Sequence, residues 1–396
     1  MKPAILGGTP IRKEPLPYAR QYIDDDDCLA VSTVLKSDYL TTGPKVKEFE
    51  EIIADFVGAK YAVSFSNGTA ALHGACYAAG IGKGDEVITT PMTFAASANC
   101  VLYSGGTPVF ADIDEYTFNI DVNEIAKKIT DKTKAIIPVD YTGQAADIDG
   151  IKELVKGTEI VIIEDGAHSL GTKYKGTRVG GLADMTMFSF HPVKTITAGE
   201  GGIITTNNEE YYTKLINFRS HCITRDINQL VDKEAGGWYY EQLDLGYNYR
   251  MTDIQAALGI SQMKKVDWFI QRRKEIVMKY NEAFRDLDGI ILQKNAEFSD
   301  TVNHLYVIKL DLNKLKADRK EIYNALLAEN IGVNVHYIPV YWHPYYQKLG
   351  YKKGLCPKAE ELYNSILTLP LFPAMTDNDV EDVIGGVYKI INYYRK

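Results

Sequence analysis

Cysteine, basic charge and long apolar runs are all scarce in this chain. The five cysteines (Cys28, Cys76, Cys100, Cys222 and Cys356) stand far apart and form no Cys-x-x-Cys pair, which argues against a disulfide framework and against a cysteine zinc site. Thiols used this way point to the reducing cytoplasm. Lysine and arginine number 44 against 52 aspartates and glutamates, a net charge of -8. A chain that grips the phosphates of nucleic acid carries the opposite excess. No stretch approaches the roughly 20 apolar residues of a membrane span, and the opening Met1-Lys2-Pro3-Ala4-Ile5-Leu6-Gly7-Gly8 lacks the apolar centre of a secretion signal. The expectation is a cytoplasmic protein with neither nucleic acid nor a membrane as partner. Repeats and low-complexity linkers are also missing, and Gly80-Ile81-Gly82-Lys83-Gly84 has neither the spacing nor the position of a dinucleotide loop.

What remains is the composition of a folded enzyme or binding protein: 396 residues, 45% hydrophobic and 24% charged, enough for two or three domains. Short β-rich runs alternate with helix-length segments from about residue 60 to 207, an α/β pattern. The expected strands are Ala62 to Phe65, Val87 to Thr90, Pro108 to Ala111, Ala135 to Val139, Ile160 to Glu164, Met185 to Phe190 and Ile203 to Thr206. Ile160-Val161-Ile162-Ile163 is apolar on both faces, as in a sheet covered by helices on each side. Val46, Phe49, Ile53 and Phe56 recur at helical spacing, so Lys45 to Phe56 reads as a helix that Gly58 ends. Helical stretches follow over Tyr211 to Phe218 and Thr252 to Phe284. A large domain is expected over residues 12–260 and a smaller one over 261–396, with strands at His304 to Leu310 and Gly332 to Tyr337 and helices at Arg319 to Glu329 and Asp377 to Tyr393.

Three motifs could carry chemistry. In Ser66-Asn67-Gly68-Thr69-Ala70-Ala71-Leu72 a strand ends and a helix begins; its free N–H groups, Gly68 and the Thr69 hydroxyl suit a phosphate, although a plain helix cap reads the same way. In Glu164-Asp165-Gly166-Ala167-His168, Asp165 closes the most apolar strand, where open α/β sheets bind ligands. A helix cap or structural ion pair is the alternative. Lys194, in Ser189-Phe190-His191-Pro192-Val193-Lys194, lies between two apolar strands, where desolvation would lower its pKa and make the amine nucleophilic. An exposed loop lysine is the other reading. Together the three meet the needs of pyridoxal 5'-phosphate: an anchor for the phosphate, an anion that keeps the pyridine nitrogen protonated, and an amine for the aldehyde.

At these motifs, and at Tyr39-Leu40-Thr41-Thr42-Gly43-Pro44 and Gly246-Tyr247-Asn248-Tyr249-Arg250-Met251-Thr252-Asp253, the chain resembles the DegT/DnrJ/EryC1/StrS sugar aminotransferases. The resemblance runs from about Tyr18 to the C-terminus. It implies the pyridoxal phosphate transferase fold type I, with a mixed, mostly parallel seven-stranded sheet in the large domain and a smaller C-terminal α/β domain. It further implies that Lys194 holds the cofactor aldehyde covalently, Asp165 pairs with the pyridine nitrogen, His168 contacts the ring hydroxyl and Phe94 stacks on the ring. Gly68, Thr69 and Ser189 would hold the phosphate, with Asn248 reaching it from the other subunit of a homodimer with shared sites. No metal site is expected. His73 and Cys76, near each other on one helix, read as core packing because no further ligand accompanies them.

The segments Tyr18-Ala19-Arg20-Gln21-Tyr22-Ile23-Asp24 and Val335-His336-Tyr337-Ile338-Pro339-Val340-Tyr341-Trp342-His343 resemble the branch of the pseudaminic acid pathway that aminates C4 of a UDP-linked 4-keto-6-deoxy-N-acetylhexosamine. The aromatic run suits uracil and sugar faces, while a core strand with an aromatic turn is the plainer reading. Tyr22, His336, Tyr337 and His343 are the expected substrate contacts. Arg20, Arg219, Arg225 and Arg250 are candidates for the diphosphate or the donor carboxylate, since guanidinium grips either in bidentate fashion. The expected reaction is ping-pong transfer from L-glutamate, pyridoxamine phosphate carrying the nitrogen between halves. Family dehydratases have histidine where Lys194 stands, and a non-catalytic sugar-nucleotide sensor would need no reactive lysine. Two departures from the family pattern stand out: the extension of residues 1–14, and Cys222 at a position commonly glycine.

Overall fold

A computed structural model describes residues 1–234 and 236–396. Seven strands, β1 (Tyr61–Phe65), β2 (Glu86–Thr89), β3 (Thr107–Phe110), β4 (Thr133–Ile137), β5 (Val161–Asp165), β6 (Met185–Ser189) and β7 (Gly202–Thr206), form one sheet in the order β1-β7-β6-β5-β4-β2-β3. The five strands from β6 to β3 run parallel, and β7 runs antiparallel to both β1 and β6. All seven lie within one or two residues of the expected runs. The apolar run in β5 is used on both faces: Ile162 packs with Ile88 and Ile136, and Ile163 packs with Val63, Ala71 and Met187 on the opposite side.

The first helices fix the edge that carries the motifs. Asp24 and Asp27 close a capping box on α1 (Asp25–Leu35). In α2 (Pro44–Val57), Pro44 opens the first turn, Phe49, Ile53, Ala54 and Val57 face the core, and Gly58 ends it at φ 75°. α3 (Gly68–Ala78) follows β1 after two residues and is buried along most of its length. α4 (Ala96–Tyr103) and α5 (Glu209–Arg219) pack against α3.

The expected helix over Thr252 to Phe284 is two helices, α6 (Asp253–Met263) and α7 (Val266–Phe284). The break lies at Lys264 and Lys265, whose N–H groups bond back three residues to Ser261 and Gln262; the Lys265 ammonium reaches Asp24 (2.7 Å) and Asp27 (2.8 Å). Beyond α7, β8 (Ile290–Leu292), β9 (Tyr306–Leu310) and β10 (Ile366–Leu369) form an antiparallel sheet. Helices α8 (Arg319–Ala328) and α9 (Asp377–Tyr394) share its core. The strand expected at Gly332 to Tyr337 is not formed. Gly332 donates to Leu16, only Asn334 pairs with Thr368 of β10, and the Asn334 side chain takes the Val335 N–H, so no continuous ladder develops. Among the described residues no helix is long and apolar enough to cross a membrane.

The N-terminal extension lies on this C-terminal core. Glu329 and Lys389, both almost completely buried, pair at 2.8 Å. The Ala4 and Ile11 N–H groups donate to Glu329, Lys389 also donates to the Thr9 carbonyl, and Arg12 pairs with Asp379 and Asp382. Cys222, the other departure, sits at φ 52°. That left-handed conformation is the one glycine adopts without cost, which accounts for the family's usual residue there.

Candidate active site

The three motifs meet at one edge of the large sheet, at the C-terminal ends of the parallel strands, as an open α/β sheet requires. β1 ends in Ser66 and Asn67, and the Asn67 side chain caps α3 by accepting from the Ala70 N–H at 2.9 Å. The N–H groups of Gly68 and Thr69, first in the helix, have no partner among the described residues. β6 ends beside them at Ser189. A Cβ on Gly68 would lie 3.3 Å from the Ser189 hydroxyl, so the missing side chain opens a cradle lined by donors at a helix N-terminus.

Asp165 ends β5 and is buried. Ser97 at the start of α4 donates to its Oδ2 at 2.6 Å, and the Ala167 N–H donates to Oδ1 at 3.1 Å. Burial holds the carboxyl's pKa above its ordinary value, and Ser97, Ala167 and the charge of Lys194 offset only part of that rise. Lys194 stands in the loop between β6 and β7, its amine making no hydrogen bond or ion pair among the described residues. Burial lowers its pKa to about 8, against the opposing pull of Asp165. An amine of that pKa is free of its proton in a sizeable fraction near neutrality.

His168, three residues past Asp165, is buried with Nε2 3.1 Å from the Tyr337 hydroxyl, while its Nδ1 has no partner. Burial, Lys194 and His336 together keep this imidazole neutral, well below its ordinary pKa. The His304 ring packs against it at a tilt, with centroids 4.4 Å apart. Phe94 stays 64% exposed near Tyr337, an aromatic face open to a ligand. The free helix N–H groups, the Gly68 cradle and the orphaned His168 nitrogen fit a phosphorylated pyridine with a ring hydroxyl.

The expected substrate contacts divide. Arg20 and Tyr22 line a small pocket with Lys194, Thr195, Gln262 and Arg273. Arg219 is a correction: its guanidinium is tied to Glu50 and to the Ser64 carbonyl (2.8 Å) and hydroxyl (3.1 Å), a tether between α5, α2 and β1. His336 likewise turns inward, its Nδ1 2.8 Å from Thr368 and its pKa lowered to about 4 by burial and by Lys194. Arg225 is exposed over the Tyr240 ring, and Arg250 is half-buried with no ion-pair partner among the described residues. His343 precedes the short helix Pro344–Lys348. Asn248 is exposed beside the Ser66 turn, whose N–H bonds the Tyr249 carbonyl at 2.7 Å. His73 is packed among Tyr103, Phe218, Tyr247 and Tyr249, and Cys76 is fully buried. Sequence reasoning missed Ser97, His304 and Arg273. Thr93 and Ser97, four positions apart and flanking Phe94, carried a signal; the other two carried none.

The pattern that defines the DegT/DnrJ/EryC1/StrS aminotransferase family matches residues 21–388. An uncharacterized protein of Methanocaldococcus jannaschii is 44% identical over 97% of this chain and 100% of its own. The spore coat polysaccharide biosynthesis protein SpsC of Bacillus subtilis is 43% identical over 95% and 97% of the two chains. The UDP-4-amino-4,6-dideoxy-N-acetyl-beta-L-altrosamine transaminase of Campylobacter jejuni is 37% identical over 96% and 98%. Among solved structures, Helicobacter pylori PseC, an aminotransferase of pseudaminic acid biosynthesis, superposes with a TM-score of 0.89 at 33% identity over 96% and 100%. The PLP-form of a sugar aminotransferase candidate from Streptococcus pneumoniae gives 0.89 at 32% over 96% and 99%. The chain belongs to the DegT/DnrJ/EryC1/StrS aminotransferase family. Its fold is the type I fold of pyridoxal phosphate transferases, and it is an aminotransferase of the sugar-modifying kind.

Proposed function

We propose that the protein uses pyridoxal 5'-phosphate to move the amino group of L-glutamate to C4 of a UDP-linked 4-keto-6-deoxy-N-acetylhexosamine. The observation that carries this reading is Lys194, an unpaired amine of lowered pKa beside Asp165, next to a helix start with free N–H groups. When bound, pyridoxal phosphate supplies an electron sink that lets the donor's Cα–H bond ionise. Gly68, Thr69 and Ser189 would hold the phosphate, Phe94 would lie against the ring, and His168 would bond its hydroxyl. Asp165 would keep the ring nitrogen protonated. Lys194 would take the proton from the donor's Cα on its Nζ in the first half and give one to C4 of the sugar in the second. Arg20 and Tyr22, lining the pocket with Lys194, are the substrate contacts we favour, with Arg250, Arg225, Tyr337 and His343 completing the site on the resemblance alone.

The working unit we propose is a homodimer in which Asn248 of the partner subunit reaches the phosphate. Asn248 is exposed, and Val231 (88%), Trp238 (80%) and Leu245 (69%) in the preceding segment of the chain leave apolar surface of the kind a second copy covers. We place the enzyme in the cytoplasm and divide it into a large body, residues 12–260, and a smaller one, 261–396, with the N-terminal strap lying on the latter.

A neighbouring reading, transfer to another nucleotide-linked keto sugar, is favoured by the identity to the spore coat polysaccharide protein (43%), which exceeds that to the altrosamine transaminase (37%). Mass spectrometry of products from a panel of UDP-4-keto sugars with glutamate decides between them. Amination of the N-acetylated 4-keto-6-deoxy sugar is the expected result; amination of a different sugar moves the assignment, and no amination with any of them overturns it.

A further inference from the structure

The proposed electron-sink chemistry needs Asp165 as an anion, yet the residue sits in a place that opposes charge. It is 4% exposed, and the charges facing it do not neutralise it outright. Lys194 approaches from the β6–β7 loop without forming an ion pair. Asp140 lies beyond β4, Glu164 precedes it on β5, Cys100 faces it from α4 and Tyr337 from the C-terminal part of the chain. Two of these are carboxyls, and burial raises the pKa of both.

A file of two buried hydroxyls approaches from the start of α4 and the segment before it. Thr93 Oγ1 lies 2.7 Å from Ser97 Oγ, which lies 2.6 Å from Asp165 Oδ2; Thr93 is 3% exposed and Ser97 1%. A serine hydroxyl has one proton to give. If Ser97 gives it to Asp165, Thr93 must donate to Ser97, and both bonds run toward the carboxylate. Oδ1 meanwhile faces the Ala167 N–H, which can only donate. With Thr93 donating to Ser97, both partners of the carboxyl act as donors, the arrangement that favours the anion. The same turn carries Phe94, so the residue expected on the cofactor's face and the hydroxyl on its charge partner share one short segment.

We propose that Ser97, oriented by Thr93, is a positioning residue that holds Asp165 in its ionised form for the pyridine nitrogen. The proposal rests on the pyridoxal phosphate reading above, but its test does not depend on it. In the full chain, with aspartate labelled by 13C at the side-chain carboxyl and the Asp165 signal assigned by its loss in Asp165→Asn, the titration of Asp165 is followed without cofactor. Wild type stays ionised at neutral pH. Ser97→Ala raises the midpoint by about one pH unit or more, the size expected for losing a hydrogen bond to a charged group. Ser97→Thr restores it, and Thr93→Val shifts it in the same direction by less. With 15N-labelled pyridoxal phosphate bound, the ring nitrogen loses its proton at lower pH in Ser97→Ala than in wild type. An Asp165 titration unchanged in both Ser97→Ala and Thr93→Val overturns the proposal; should Ser97→Ala fail to fold, Thr93→Val alone decides. Failure of every variant and of wild type to take up the cofactor refutes the functional reading instead, and the carboxyl titration still settles the role of Ser97.

Discussion

Two of the lysines that meet buried carboxylates in this molecule, Lys389 and Lys194, do so in opposite ways. Lys389 and Glu329 touch at 2.8 Å, and their remaining bonding capacity is met by the Thr9 carbonyl and the Ala4 and Ile11 N–H groups. The pair clamps the N-terminal strap to α8 and α9. Lys194 and Asp165 face each other without an ion pair, the lysine holds no hydrogen bond, and its pKa falls to about 8. A buried pair satisfied from every side is a fastening; one left unsatisfied is available for chemistry.

Breaking each pair should therefore damage different properties. Lys194→Ala is expected to lower kcat by about 10^4-fold or more, since it removes both the proton-transfer group and the cofactor's attachment, while urea denaturation of the apo protein shows no loss of stability. Lys389→Met should do the reverse. It leaves Glu329 buried without its cation and costs about 3–5 kcal/mol in the urea midpoint, with turnover per folded molecule close to wild type. Equal losses of activity and stability in either variant would erase the distinction.

A gentler change sharpens the comparison. Asp165→Asn keeps the shape and the helix-end cradle, so the cofactor should still bind, but a neutral amide cannot hold the ring nitrogen's proton. The expected loss is roughly a hundredfold in kcat, about 2.7 kcal/mol. Turnover near the wild-type rate would make Asp165 a purely structural residue.

How much of this was legible in the sequence depended on the range of the interaction. The strands were, because apolar runs between turn residues are local signals, and so was the approach of the Gly68, Asp165 and Lys194 motifs, because strand ends in an open sheet converge. Arg219 was misread since its partner Glu50 lies on α2, 169 positions away. The missing strand at Gly332 to Tyr337 fails because that segment's partner is Leu16, near the other end of the chain. His304 reaches His168 only through the folded packing, and no pattern in the sequence announces it.

The smallest expected effect concerns the carboxyl behind Asp165. Asp140 is fully buried, and burial raises its pKa to about 7, partly offset by the Ser169 hydroxyl at 2.5 Å and the Ala146 N–H. A carboxyl whose folded pKa exceeds its unfolded value binds its proton more tightly when folded. Its contribution is complete below about pH 4 and is lost as the pH climbs through about 7. Between pH 5 and pH 7 that loss is about 2 kcal/mol, and Asp140→Asn should flatten it in thermal melts taken across the range. A slope unchanged by the substitution would assign the pH dependence to another group.

The contrast between the two lysines is tested most directly by covalent capture. Pyridoxal phosphate is bound to the purified protein, reduced with borohydride, and the digest is mapped by mass spectrometry. The account predicts one label per chain, on Lys194, with Lys389 untouched. A label on a different lysine, or no label after reconstitution, would contradict it.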